Sequence, residues 1–366
     1  MKITFPYMGT TLVYSKLIEL LGHEAVSPPK PSQRTIDLGV KYSPEFACFP
    51  MKVIMGSYVE ALENGAEVII TSGGHGPCRA GFYGEMHHRI LQNLGYDVDI
   101  LVFDSIKRDF KSFIYNVKKL KGDKSWQSVW KILKLTYKIA VQVDEFEIQL
   151  QTIRAYEISK GSCNKVWDKI QQIYKKVFTE KDLSEAKKES QKLIDNIPYK
   201  IVPEEKKIRI GIVGEIYVVM ESSVNMKMEE VLGNYGCEVH RGHYLSGWIE
   251  THMIPKWFSR SREKEIEKKG EKYIEIKIGG HAKETMGHIV DYHEQGFDAI
   301  IHLMPFGCLP ELVSQSIMPK LMEDTGIHVL TIALDEQAGI ANNLTRIEAF
   351  LDLVRNSKEK KSSKVS

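Results

Sequence analysis

A glycine-rich segment at positions 71–85, TSGGHGPCRAGFYGE, constrains the fold of this chain more than any other stretch. It follows an apolar run at 66–70 that is typical of a buried strand, and it precedes a pattern typical of an amphipathic helix. Glycines allow positive φ and a close approach of the backbone to a ligand. Backbone N–H groups at a helix start carry partial positive charge, which stabilises a thiolate. The segment therefore predicts a strand-to-helix turn that carries Cys78.

Two further cysteines share this setting, because Cys48 and Cys308 also precede predicted helices and are flanked by prolines. Proline fits the first turn of a helix. In a parallel α/β sheet such turns gather at the carboxyl edge of the strands, where ligands bind. We therefore predict that the three cysteines converge in a metal site, with inert thiols on ordinary turns as the alternative. Cys163 and Cys237 lie outside such turns and are not counted as ligands.

Predicted strands alternate with predicted helices of ten to fifteen residues on both sides of a Lys-rich, Gly-poor middle. This alternation predicts an α/β fold with two Rossmann-like parallel-sheet lobes. Apolar residues at three- and four-residue spacing in the middle predict a helical insertion. The expected organisation is an N-terminal lobe at 1–104, the insertion at 105–206, a C-terminal lobe at 207–356 and a disordered Lys/Ser-rich tail at 357–366.

Composition restricts the class of protein. The chain has 366 residues, 43% hydrophobic content and a formal net charge of +2, which allows several cores and gives no strong field toward nucleic acid or membranes. Five cysteines, an odd number spread over the chain, fit a reducing compartment. We expect a cytoplasmic protein without nucleic-acid or membrane partners. The charged segment 259–272 is expected to be exposed.

Acidic residues follow several predicted strands or stand near the cysteine turns, where they could act as acid/base groups or as hydrogen-bond partners of a cofactor site. For each of them, a helix cap or an exposed ion-pair partner is the alternative. These weak catalytic candidates are Glu45, Glu85, Glu215, Asp335 and Glu336.

Two basic or polar residues stand close to Cys78 in the sequence. Arg79 could face an anionic cluster or a CoA phosphate, or it could close a surface ion pair. His75 could ligate a metal, donate a hydrogen bond to a cluster or substrate, or simply fill the turn.

Six motifs, SPEFACFP, GGHGPCRAGFYGE, GEIY, GGHAKETMG, MPFGCLPE and LDEQAG, together resemble the D-component family of 2-hydroxyacyl-CoA dehydratases. The resemblance is to a branch described as related to the activators of acyl-CoA dehydratases, and it extends over roughly 1–104 and 207–355. It implies Rossmann-like lobes and an iron–sulfur cluster held by Cys48, Cys78 and Cys308. Relatives carry Cys where this chain has His75, so the fourth coordination position stays open.

The resemblance also implies an activity. Family dehydratases use a [4Fe–4S] cluster whose fourth iron binds the thioester carbonyl, and a partner ATPase supplies a low-potential electron that forms a ketyl radical. A cousin branch reduces small molecules with a double-cubane [8Fe–9S] cluster. The expected protein is therefore an oxygen-sensitive component of a radical-type dehydratase or ATP-dependent reductase from anaerobic metabolism. A homologous second subunit or a homodimer is implied as well.

The nuclearity of the cluster follows from the cysteine count. A double cubane needs about six protein thiolates, whereas this chain has five cysteines and only three stand in ligand-like turns. We therefore expect a single [4Fe–4S] cluster. The alternatives are a double cubane shared across a dimer, or zinc. For function, a non-catalytic electron-transfer or cluster-carrier protein and a structural zinc protein stay open.

Overall fold

The computed structural model describes residues 1–73, 78–103, 110–253, 262–276, 278–337 and 339–365. Within these ranges the strands are β1 (Lys2–Thr4), β2 (Glu24–Ala25), β3 (Val68–Ser72), β4 (Asp99–Phe103), β5 (Ile208–Gly214), β6 (Cys237–Arg241), β7 (Ala299–Pro305) and β8 (His328–Leu334). The α-helices are α1 (Thr11–Leu21), α2 (Gln33–Tyr42), α3 (Phe49–Glu63), α4 (Tyr83–Asn93), α5 (Phe110–Lys121), α6 (Trp126–Ile153), α7 (Ser162–Tyr174), α8 (Glu180–Asp195), α9 (Ile216–Met220), α10 (Met228–Asn234), α11 (Leu245–Met253), α12 (Arg262–Gly270), α13 (Ala282–Glu294), α14 (Leu309–Thr325) and α15 (Ile340–Val365).

Two all-parallel sheets form the two lobes. Their strand orders are β2-β1-β3-β4 and β6-β5-β7-β8, so the two lobes share one topology. The central strand β7 is buried along its whole length and reads as a nearly continuous apolar run, as expected for a strand covered on both faces. The predicted α/β class with two Rossmann-like lobes is confirmed.

Each lobe also contains a pair of helices that cross at backbone contact before its third strand. A Cβ atom on Gly56 of α3 would lie 1.9 Å from the carbonyl oxygen of Thr35 in α2. In the other lobe, a Cβ atom on Gly287 of α13 would lie 2.0 Å from the carbonyl oxygen of Ile266 in α12. Only glycine permits this approach. The N-termini of α3 and α13 therefore occupy corresponding places in the two lobes.

The predicted helical insertion consists of α5 to α8, and its 28-residue helix α6 packs against both lobes. Ile139, Val143 and Phe146 of α6 are fully buried in a core that also includes Val13 of α1. Toward the C-terminal lobe, the backbone N–H of Ser246 donates to the Asp144 carboxylate at 2.7 Å. The insertion is thus part of the packed structure. None of the helices in the described ranges is long and apolar enough to cross a membrane.

Two segments differ from the sequence-based expectation. The tail at 357–366, which was expected to be disordered, continues α15 as far as Val365. Leu351 and Val354 anchor this helix in the core, and the Lys, Glu and Ser residues that follow extend it. The charged segment 259–272, where it is described from residue 262, forms α12 and turns Ile266 into the core. Its charged pattern conceals a buried face, since one apolar residue per two turns is a weak signal.

Candidate metal centre

The three predicted cysteine ligands occupy equivalent local positions. Cys48 is the N-cap residue of α3, Cys308 is the N-cap residue of α14, and Cys78 precedes the 3₁₀ turn that leads into α4. In α3 and α14 the expected proline stands in the first helical turn. All three cysteines are free thiols. The sequence-based placement of each cysteine at a helix-opening turn agrees with the structure.

The two cysteine turns of the N-terminal lobe contact each other. The Tyr83 hydroxyl, at the start of α4, forms a short hydrogen bond with the Cys48 thiol. Arg79 donates to the backbone carbonyl of Phe46 and places its guanidinium over the Phe46 ring, 6.0 Å from the centroid. Arg79 therefore ties the Cys78 turn to the Cys48 turn, a role that differs from the surface ion pair considered for it.

The third cysteine turn belongs to the C-terminal lobe and approaches Cys78 across the boundary between the lobes. A Cβ atom on Gly280 would lie 3.7 Å from Cys78 Sγ and 2.7 Å from Pro310 Cγ, next to the Cys308 turn. Gly280 has φ of 60°, a left-handed conformation that disfavours other residues. Gly280 thus permits the close approach of the C-terminal lobe to Cys78.

The thiols are electrostatically coupled. Burial raises the pKa of each of the three cysteines. The pKa of Cys78 is raised further by the charges of Glu215, Cys48 and Glu311, and that of Cys308 by Glu215, Glu311 and Cys78. Each negative charge that forms at Cys78 or Cys308 therefore disfavours the next one, whereas the charge of Arg79 partly offsets burial at Cys48.

Glu215 is the one acidic candidate that the structure brings to the cysteines. It is the N-cap residue of α9, and its carboxylate accepts a hydrogen bond from the Val218 backbone N–H at 3.1 Å. Burial raises the pKa of Glu215 to about 7. A helix cap was the alternative role predicted for Glu215. In the structure its carboxyl caps α9 and also lies beside the cysteines.

The other candidates lie elsewhere or pair with other groups. Glu85 forms an exposed ion pair with Arg89 at 2.6 Å on α4. The Glu336 carboxylate accepts from the buried Lys52 at 2.7 Å, which links the end of β8 to α3. Glu45 is exposed on the turn before Cys48. Asp335, at the end of β8, accepts a local bond from the Gln337 backbone N–H at 2.9 Å. His75 lies outside the described residues.

Two site residues were missed by the sequence reasoning. Tyr83, which contacts Cys48, stands in the GFYGE motif but carries no periodic or spacing signal of its own. Glu311, in the first turn of α14, pairs with His302 of β7 at 2.9 Å, and both side chains are fully buried. The carboxylate three residues after Cys308 was visible in MPFGCLPE, although its buried partner was not.

The donors that this site offers to a cofactor are three cysteine thiols. As the side chains stand, no group of three or more His, Cys, Asp or Glu residues within the described part of the chain is arranged to hold a metal ion. In a [4Fe–4S] cluster each thiolate binds a different iron, so the sulfur atoms need not meet at one point. Three free thiols at helix starts, of which Cys78 lies next to Gly280, fit such a cluster in donor chemistry.

Neither a protein-family model nor a curated protein gives a significant match to this chain.

Proposed function

We propose that this protein is an iron–sulfur protein that holds a [4Fe–4S] cluster through Cys48, Cys78 and Cys308. The proposed activity is low-potential one-electron chemistry on a small substrate or an acyl-CoA thioester. The proposed electron source is a partner ATPase, and a homodimer or a homologous second subunit completes the assembly. The observation that carries the proposal is the coupling of three free, helix-capping cysteines from both lobes in one region.

Electrostatics supports a cationic occupant of this region. Burial raises the pKa of all three thiols, and the nearby carboxylates Glu215 and Glu311 raise the pKa of Cys78 and Cys308 further. A metal cluster replaces the thiol protons and supplies the positive charge that three buried thiolates need. When bound, such a cluster would also hold the low-potential electron that the partner ATPase delivers.

The surrounding residues have defined roles in this proposal. Glu215, with a pKa of about 7, is poised to release or accept a proton near neutral pH beside the cysteines. Tyr83 orients the Cys48 sulfur through its hydroxyl. Arg79 holds the turns of Cys48 and Cys78 together, and its charge lowers the pKa of Cys48 against the effect of burial.

Reconstitution tests the cofactor. Protein purified and reconstituted without oxygen is assayed for iron, sulfide and zinc, and reduced samples are examined by electron paramagnetic resonance. We expect about four irons per chain and a [4Fe–4S] signal. Replacing Cys48, Cys78 or Cys308 with Ser should remove most of the iron, whereas the matched control variant Cys163→Ser should retain it.

Three outcomes contradict parts of the proposal in different ways. Zinc without iron supports the structural zinc alternative. About eight irons per chain, all lost in Cys78→Ser, would overturn the single [4Fe–4S] cluster. A stable cluster that is reduced by an activating ATPase but shows no substrate-dependent turnover would make the protein an electron carrier instead of an enzyme.

A further inference from the structure

A second cluster of potential ligands lies beside the cysteine site, under α11 and α13. It surrounds a cavity of about 30 Å³, enough for one or two water molecules or an ion. We call it the histidine pocket and define it by three imidazoles and two carboxylates. His243, His281, Glu263 and Glu284 line the cavity, and His288 packs next to them against His243 and Glu263.

His288 is the least satisfied member of the pocket. Its side chain is only 4% exposed, and neither ring nitrogen has a hydrogen-bond partner among the described residues. An imidazole in this state leaves a buried donor and a buried acceptor unpaired, at about 1–3 kcal/mol for each. A bound ligand that accepts the lone pair of His288 would remove part of this cost.

The spacing of the groups matches that of ligands around one small ion. His288 Nε2 lies 3.8 Å from Glu263 Oε2, which is too long for a hydrogen bond. Two ligand atoms on a tetrahedral ion with bonds of about 2 Å are about 3.3 Å apart. The ring centroid of His243 lies 4.8 Å from that of His281 and 5.6 Å from that of His288. Two imidazoles on such an ion have centroids about 5 Å apart.

His243 is already held as metal-binding histidines usually are. Its Nε2 lies 3.1 Å from the carbonyl oxygen of Gly214 at the end of β5. A carbonyl can only accept, so Nε2 carries the proton and Nδ1 carries the lone pair. A backbone carbonyl that fixes the tautomer in this way is the common partner of a histidine ligand.

The charges around the pocket also favour a cation. Burial lowers the pKa of His288 to about 3 and that of His243 well below its usual value, so both rings are neutral, which is the metal-binding form. Burial, followed by the charge of Glu284, raises the pKa of Glu263 to about 7. The nearby Arg262 is paired with Asp291 at 2.7 Å.

We propose that the histidine pocket binds one divalent transition-metal ion of the zinc class, with His243, His281, His288 and Glu263 as ligands. Because the side chains as they stand do not converge on one point, binding involves rotation of the imidazoles and a shorter distance between His288 and Glu263. The site is separate from the three cysteines and does not depend on the function proposed for them.

Zinc titration tests the proposal in a full-length variant in which Cys48, Cys78 and Cys308 are all Ser, because thiolates would otherwise bind the metal. Calorimetry and metal analysis should show one zinc ion per chain. In this background, His288→Asn and Glu263→Gln should each weaken zinc binding by about tenfold or more. The matched control is His293→Gln, which alters an exposed histidine of the same helix and should leave binding unchanged.

Cobalt provides a second readout in the same variant with Ser at positions 48, 78 and 308. Cobalt in the histidine pocket should give d–d absorption without a thiolate charge-transfer band, since its ligands are nitrogen and oxygen. Circular dichroism identifies variants that fail to fold. If His288→Asn does not fold, the isosteric Glu263→Gln alone tests whether the pocket binds zinc. The absence of zinc binding in the variant with Ser at positions 48, 78 and 308 would overturn the proposal. Zinc binding in that variant that both pocket variants leave intact would overturn it as well.

Discussion

The buried pair of His302 and Glu311 offers a direct test of how the C-terminal cysteine turn is supported. His302 Nε2 lies 2.9 Å from Glu311 Oε2, and both side chains are fully buried. On its other sides, His302 Nδ1 lies 3.1 Å from the Thr331 hydroxyl, and Glu311 accepts from the Thr285 hydroxyl at 3.2 Å. We expect His302→Leu to reduce the free energy of unfolding by about 3 kcal/mol.

The expected loss follows from what His302→Leu leaves behind. Glu311 retains only the bond from Thr285 among the contacts described here, and its second oxygen loses its partner in a dry interior. Removing one member of a buried pair costs about 3–5 kcal/mol when the other stays charged. The loss falls toward about 1–3 kcal/mol if the carboxyl takes up a proton and only a hydrogen bond is lost. The middle of these ranges gives the expected value.

A double-mutant cycle separates the pair from its surroundings. His302→Leu, Glu311→Leu and the double variant are compared by urea unfolding of the cluster-free protein under reducing conditions, followed by circular dichroism. Because the double variant leaves neither a buried carboxylate nor a buried imidazole without its partner, it should be less destabilised than the sum of the single variants by about 2 kcal/mol. The exposed pair of Glu85 and Arg89 is the matched control, and Arg89→Ala should cost less than about 0.5 kcal/mol.

Two results would refute this reasoning. One is a loss of less than about 1 kcal/mol in His302→Leu, which would mean that the pair carries little of the stability of the lobe. The other is strict additivity of the two single variants, because it would show that the two side chains do not interact.

Three further predictions concern other sites. Burial raises the pKa of Asp144 from 3.8 to about 7, so the folded state binds the extra proton and stability falls as pH rises from about 4 to 7. Asp144→Asn should remove this pH dependence and raise the free energy of unfolding at pH 8 by at most about 4 kcal/mol. If the wild type and the variant had equal urea midpoints at both pH 5 and pH 8, the prediction would be wrong. Gly280→Ala places a Cβ atom 2.7 Å from Pro310 at positive φ. Thermal unfolding should therefore show a free energy of unfolding that is lower by about 1–2 kcal/mol, and the reconstituted iron should decrease. Unchanged values of both would exclude the close approach. Cys163 and Cys237 are fully buried, and burial raises the pKa of each to about 12. Replacing both with Ser should leave the iron content unchanged, and their alkylation in the native protein should be slow. Loss of half the iron in the double variant would indicate a missed ligand.

Local sequence patterns were sufficient for the class of fold and for the positions of the cysteines in it. The apolar run before each turn, the proline after Cys48 and Cys308, and the alternation of strands and helices depend on residues within a few positions of one another. Such signals survive in a single sequence because strand and helix periods are set by near neighbours. The polar end of α15 was missed, since Lys/Ser-rich composition indicates disorder only when no anchored helix precedes it.

The partners of the site residues were decided only by the tertiary structure. In the sequence, Glu215 and Glu85 are both acidic residues near predicted helix starts. In the structure, Glu215 is buried beside the thiols, whereas Glu85 forms an exposed ion pair. Likewise, His243 and His288 are 45 positions apart in the sequence, and no period connects them. Their rings meet because β6 and α13 pack into one lobe. Contacts of this kind depend on how sheets and helices stack over long sequence separations, which local periodicity does not encode.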